Sequence, residues 1–566
     1  MIISAVSLFK KFNMQTPLGA SEWRIEEKDG IRWSHVSYSG HTVEDGSVRV
    51  YARFAIPLTA YKAPTVLLLD EAGKQTDEEL MRYFLDKGYA VLMPDYSGKM
   101  QNDGDNALRT IYPNSLEHGN LEKARGLWEM QGIAVEDTTW FEWTYVALTS
   151  IKYLRSREEV GNIGVVGVRT GGDIAWQTLL SSEVKCGVPI NAVGWKSFSA
   201  VAKFGENTRH NLSDEQHSYI AGVEAQSYAP YIKCPVLMLC ALRDTCFDGD
   251  RAYDTFSRIG NEYGNALVYS LDSGACIGPN GLNDMDLFLE KNLKGREIYI
   301  PETPSITALE ENDGLTIEVQ SDKEGILEEG GIFYAEADVS TKCAYRDWRQ
   351  IYKIDGKSVK DGKFSCHIKH FEGAKAVFAY AYAKYINGFR VVSKITVKKL
   401  DNPNESAVKS RMLFSGKEMD AFGVAMHSGY AVGDIFLERE AIPKKVVGYG
   451  GVTGAFSVGG IKTYKISSPM YIPDENALLA FDAYSATTQQ LQITVDVGDM
   501  QSEAEKYSCI VDIKGGGKWK RIILKATDFK DETCNKPLTN FYDGKALTFT
   551  AISEEDEVAV TNILWL

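Results

Sequence analysis

Hydrophobic positions in the first three hundred residues fall into short apolar runs that alternate with stretches of helical spacing. SVRVYARFAIP, PTVLLLD, YAVLMPDY, IGVVGV, PINAVGW, PVLMLCAL and ALVYSL are runs of strand length. Between the early ones lies DEELMRYFLDKG, an amphipathic segment opened by Asp77 and closed by Gly88. A longer helix is predicted after Asp137, its expected cap, where Trp140, Trp143, Ala147, Ile151 and Leu154 recur at helical spacing. Strand–helix alternation of this kind implies a mostly parallel sheet covered on both faces, so residues 1–300 read as an α/β domain. The polar stretch 196–230 lies between two strands and predicts a cap or insertion over their ends.

The texture changes near Pro301. Segments such as LTIEVQS, GIFYAEADV, FSCHIKHF and AVFAYAYAKY alternate apolar and polar residues with turn signals between them, which predicts an immunoglobulin-like β-sandwich over 301–400. DNPNES at 401–406 reads as a linker. Residues 407–566 are again strand-rich, in LLAFDAYS, QLQITVDV, YSCIVDIK, WKRIILKA, ALTFTAI and VAVTNILWL, and predict a second, jelly-roll sandwich. The fold class expected is therefore α/β followed by two all-β sandwich domains.

Composition narrows the function classes. The 566 residues carry a net charge of −15, with 44% hydrophobic and 25% charged residues. A nucleic-acid binder would need a basic face for phosphates, and a protein docking on anionic membranes would need one for lipid headgroups, so neither partner is expected. The nine cysteines show no CxxC or zinc spacing and read as free thiols in a reducing compartment. MIISAVSLFKKF places its lysines after its apolar run, the reverse of a secretory signal, so a cytoplasmic location is expected.

One turn should carry chemistry. IGVVGV leads into Gly167-Val168-Arg169-Thr170-Gly171-Gly172. A strand-to-helix turn of the form Gly-x-nucleophile-x-Gly is a nucleophile elbow, and this frame places Arg169 at its apex. A guanidinium stays protonated and cannot attack a carbonyl. Thr170 stands one residue late, and making it the nucleophile would put Val168 where the turn wants glycine. Such an elbow is followed in the chain by an acid and then a histidine. The acid falls on Asp244, with Asp248 as the alternative. The histidine position, in LDSGACIGP, falls on Ala275, and none of the eight histidines lies between His217 and His367.

On VLMPDYSGK, TTWFEWTYVALTSIKYL, IGVVGVRTGG and DTCFDGDRAYDTF, residues 1–300 resemble bacterial acetyl-xylan-esterase and dienelactone-hydrolase-like members of the α/β-hydrolase superfamily. The resemblance implies serine where this chain has Arg169 and histidine near Ala275. It also implies a His-Gly-Gly-like loop, source of an oxyanion-hole amide, where this chain has Asp70-Glu71-Ala72-Gly73. The closing segments KWKRIILKATDFK and VTNILWL resemble galactose-binding-like or carbohydrate-binding jelly rolls.

The triad is thus degenerate at Arg169, Asp244 and Ala275, and no catalytic residue is assigned. Asp70, Glu71, Arg169, Thr170 and Asp244 form a vestigial pocket or ligand site. Arg169 either receives an anion such as a sugar acid or pairs with Asp244, Asp70 or Glu71 and plugs the pocket. Cys276 lies on the wrong loop for a thiol mechanism. Asp70, Glu71, Asp95 and Asp244 lack the spacing of a metal site, so no metal or cofactor is expected. Trp140 and Trp143 read as core. Trp519, Tyr542 and Trp565 are candidates for stacking on a sugar, each weighed against a core role. The function expected is a catalytically inactive pseudo-esterase binding a carbohydrate or related ligand, with a homo-oligomer allowed. The alternatives are an active carboxylic-ester hydrolase recruiting His210 or His217 to the pocket, and a structural, oligomer-forming scaffold.

Overall fold

A computed structural model describes residues 4–127, 132–199, 201–205, 211–272, 274–311, 314–369, 375–400, 410–417, 426–428, 435–436, 442–498, 505–531, 533–553 and 557–566. Nine strands form its first sheet: β1 (Ser21–Lys28), β2 (Ile31–Val43), β3 (Gly46–Pro57), β4 (Ala63–Leu69), β5 (Ala90–Asp95), β6 (Val160–Val168), β7 (Val184–Ile190), β8 (Leu237–Ala241) and β9 (Ala266–Ser270). Their order is β1-β2-β3-β5-β4-β6-β7-β8-β9. The first three strands and β5 pair antiparallel, and β4 to β9 are parallel. The parallel strands are the near-continuous apolar runs of the sequence because helices cover both of their faces.

Two boundaries differ from the sequence reading. The long helix, Thr139–Arg155, is capped by Thr138, whose hydroxyl accepts the Phe141 amide at 3.3 Å; Asp137 ends the preceding 3-10 turn instead. The strand expected in PINAVGW is VKCGVPI and stops at Ile190. The backbone then turns left-handed at Asn191, Gly194 and Trp195 (φ 53°, 75° and 60°), which no strand can accommodate. Trp140 and Trp143 are fully buried in the core between this helix and the sheet.

Antiparallel sheets follow. The strands Ser305–Glu311, Gly314–Gln320 and Lys363–Lys369 pack their apolar face on a sheet that contains Leu327–Ala337, Arg349–Asp355, Ala376–Tyr385 and Arg390–Val392. Ile306, Leu315, Ile317 and Val319 meet Ile332, Val377 and Ala379 in their shared core. Two six-stranded sheets between Met412 and Trp565 enclose a further core, in which Phe414, Leu479, Phe481 and Trp565 face Leu491, Ile493, Val495 and Phe549. Trp565 is therefore a core residue and not a sugar platform. The expected linker 401–406 lies outside the described residues.

The β regions are keyed into the α/β sheet through the loop after β8. Asp250 on that loop forms a buried forked pair with Arg346, at 2.5 and 2.6 Å. Arg243 donates to the Arg346 carbonyl at 2.5 Å and lies 3.9 Å from the centre of the Tyr464 ring. One loop thus touches both β regions. Among the described residues no helix is long and apolar enough to cross a membrane.

Candidate active site

The turn between β6 and the helix Thr170–Thr178 has the geometry of a nucleophile elbow. Its apex, Arg169, sits at φ 49° and ψ −111°, a strained conformation for a residue with a side chain. The flanking glycines are required by space. A Cβ at Gly167 would run into the Gly171 carbonyl, and one at Gly171 would run into the Leu69 carbonyl. The residue that this turn presents is an arginine.

Arg169 is held by two carboxylates. Its Nε donates to Asp244 Oδ2 at 2.9 Å and its Nη2 to Asp244 Oδ1 at 3.2 Å; Nη1 donates to Glu71 Oε1 and Oε2 at 3.1 and 3.2 Å. The Asp244 side chain is 1% exposed and the Arg169 side chain 22%. Burial works against the arginine's charge, but Asp244 and Glu71 outweigh it and push the guanidinium pKa above its ordinary value. Asp244 Oδ1 also accepts the Cys246 amide at 2.9 Å.

The amides of the loop after β4 are already hydrogen-bonded within the protein. The Glu71 amide donates to Asp70 Oδ1 at 2.7 Å, the Ala72 amide to Thr170 Oγ1 at 2.6 Å and the Gly73 amide to Ser97 Oγ at 2.9 Å. Thr170 therefore serves as an acceptor for the loop amide. Its hydroxyl also lies 3.0 Å from the Tyr96 hydroxyl, which donates its own proton to the Asp70 carbonyl at 2.5 Å. The Thr170 proton is thus directed at a phenol oxygen, which is no general base.

The remaining sequence candidates lie outside this clamp. The Asp70 carboxylate faces Lys74 at 3.6 Å, and its burial raises its pKa against that charge. Asp95 is buried elsewhere, where its carboxylate accepts the Lys99 and Thr110 amides. Asp248 pairs with Arg251 at 3.1 Å. Ala275 is fully buried, and its carbonyl accepts Asn191 Nδ2 at 3.0 Å. Cys276 is buried beside it and accepts the Gly278 amide. His217 is exposed on the helix Asp214–Gly222, and His210 lies outside the described residues. No group of three His, Cys, Asp or Glu side chains able to hold a metal occurs among the described residues.

Sequence reasoning missed three features: Thr170 as the partner of the loop amide, Tyr96 behind it, and Ile435. The Ile435 carbonyl accepts the Ile277 amide at 3.3 Å, which brings the last β region against the loop after β9. The grooves near the clamp, of about 660 and 10 Å³, are lined by Asp70, Lys74, Gln75 and Thr76 and by neither Arg169 nor Asp244.

Residues 50–265 match the model of the Dienelactone hydrolase family. No curated protein matches the chain. Among solved structures it is similar to an acetyl xylan esterase from Paenibacillus sp. R4, at 19% identity over 51% of this chain and 92% of the other, with a TM-score of 0.40. It is also similar to acetyl xylan esterase 1 from Thermoanaerobacterium sp. JW/SL YS485, at 14% identity over 48% and 86%, with a TM-score of 0.37.

Proposed function

With residues 50–265 an α/β-hydrolase domain of the dienelactone hydrolase family, we propose that this chain is a catalytically inactive pseudo-esterase that binds a carbohydrate or related ligand. The observation that carries the inactive half is the clamp of Arg169 between Asp244 and Glu71 at the apex of an intact elbow. A fixed cation occupies the place of the nucleophile, and the acid that would orient a histidine is spent on that cation. Enzymes stripped of a triad member keep roughly 10³–10⁴-fold catalysis over water from the oxyanion hole and substrate binding. Here the Ala72 loop amide is already bonded to the Thr170 hydroxyl, which weakens that residual contribution as well.

The test is hydrolysis of p-nitrophenyl acetate, propionate and butyrate and of acetylated xylan by the purified protein. The rates expected are those of buffer, for the native chain, for Arg169→Ala and for Arg169→Ser alone, because a serine without a base keeps its proton. Turnover by the native chain that disappears in Thr170→Ala would overturn the proposal.

A further inference from the structure

The outer face of the last sandwich carries a pair of aromatic rings, and we infer that Trp519 and Tyr484 stack the pyranose rings of a glycan there while Asp482, Arg521 and Asn562 bind its hydroxyls. This rests on the carbohydrate half of the function proposed above and gives it a place. The strands Lys444–Val447, Thr453–Phe456, Ala559–Trp565, Leu479–Tyr484 and Lys520–Leu524 lie side by side in that order. Along Leu479–Tyr484, residues 479, 481 and 483 enter the core, so Asp482 and Tyr484 point away from it.

Asp482 stands opposite Arg521 and Ala483 opposite Lys520, a register that continued by one residue sets Trp519 beside Tyr484. The two ring centroids are 5.2 Å apart at 41°. Trp519 is only half-buried, yet its edges press on bare backbone. A Cβ at Gly454 would come within 2.5 Å of its Cη2, and one at Gly448 within 2.6 Å of its Nε1. Glycines at these two positions let the indole lie down along the sheet instead of standing up from it. Tyr449, 68% exposed, follows Gly448 at the rim, with Lys518 Nζ 5.8 Å from its ring centre.

The polar part of the site adjoins the rings, with Asp482, Arg521 and Asn562 on three neighbouring strands. Arg521 grips Asp482 through Nε and Nη2, at 2.5 and 3.0 Å, and Asn562 Nδ2 donates to Asp482 Oδ2 at 2.8 Å. Arg521 and Asp482 cancel each other's charge and hold each other rigid, which suits hydroxyl groups as ligands better than an ion. Asp482 and Tyr484 are two residues apart on one strand, about 7 Å by the strand rise. A sugar ring stacked on the aromatic pair would bring its outer hydroxyls over that polar group. Neutral and uronate-bearing chains share this ring chemistry, and Lys518 would favour the second.

Native gels containing arabinoxylan, galactomannan or polygalacturonate, run with the full-length protein, test the site. Retardation is expected in at least one of them, and polygalacturonate against the two neutral polymers shows which kind of chain is bound. Trp519→Ala and Tyr484→Ala should each weaken the association about tenfold or more. Trp519→Phe should keep most of it, and Tyr542→Ala, an exposed aromatic outside the cluster, should leave it intact. Circular dichroism checks that each variant is folded, and Trp519→Phe with Tyr484→Ala carries the test if Trp519→Ala does not fold. No retardation of the native chain in any gel overturns the site together with the carbohydrate reading. Retardation unchanged in both alanine variants overturns the site alone.

Discussion

Truncating Arg346 to alanine is expected to destabilise the protein by about 3–5 kcal/mol, the range for removing one partner of a buried ion pair. Arg346 and Asp250 have side chains 1% and 2% exposed. Arg346 also donates to the Thr341 carbonyl at 3.0 Å and covers the Phe378 ring at 3.5 Å. Without the guanidinium, Asp250 remains buried on the loop after β8 with its charge uncompensated, and Phe378 loses its cover. Calorimetry should show the earliest transition of the native chain moved down in temperature. The double variant Arg346→Met with Asp250→Leu should recover most of the loss, because it buries apolar side chains and leaves no orphan charge. If Arg346→Ala melts like the native chain, the pair does not hold the junction.

The second large effect concerns the elbow. Arg169→Ala strands Asp244, whose carboxylate then keeps the Cys246 amide as a donor, and leaves Glu71 with Lys74 at 3.9 Å. A loss of about 3 kcal/mol is expected, the low end for an orphaned buried charge, because Glu71 and the arginine are partly open to solvent. Two companion variants separate the causes. Arg169→Gly should be less damaging than Arg169→Ala by roughly 0.5–1 kcal/mol, since glycine accepts φ 49° without strain. Arg169→Ala combined with Asp244→Asn should regain much of the stability, since the buried charge is gone. Melting curves of the three variants measure both differences. An Arg169→Ala chain more stable than the native one would mean that the arginine is itself the misfit.

Much of this site is legible in the sequence because its constraints are local. The frame Gly167-x-Arg169-x-Gly171 follows an apolar run, and the close approach of the helix to β4 leaves room only for glycine, so the apex is identified from one segment. Asp244 is found from chain order along successive strands, and the structure sets it against Arg169. The choice among Asp70, Glu71 and Asp244 as partners of Arg169 is not legible, since it depends on where side chains turn. Asp70 bends back to the Glu71 amide and frees Glu71 to reach across. Thr170 reads as a spare hydroxyl, and only the placement of the Ala72 amide reveals its use. Trp519 and Trp565 look alike in alternating strands, yet one lies over glycines on the outer face and the other fills the core. Contacts between distant segments, such as Ile277 with Ile435 or Arg243 with Tyr464, leave no periodic trace.

The most direct measurement is covalent labelling of the native chain with a fluorophosphonate, which reacts with an activated serine or threonine hydroxyl and is read as an increase in intact mass. The clamp of Arg169 and the hydrogen-bonded Thr170 predict no adduct after prolonged incubation with excess reagent. A stoichiometric adduct mapped to Thr170, or to any hydroxyl of the loops around Arg169, would contradict the account.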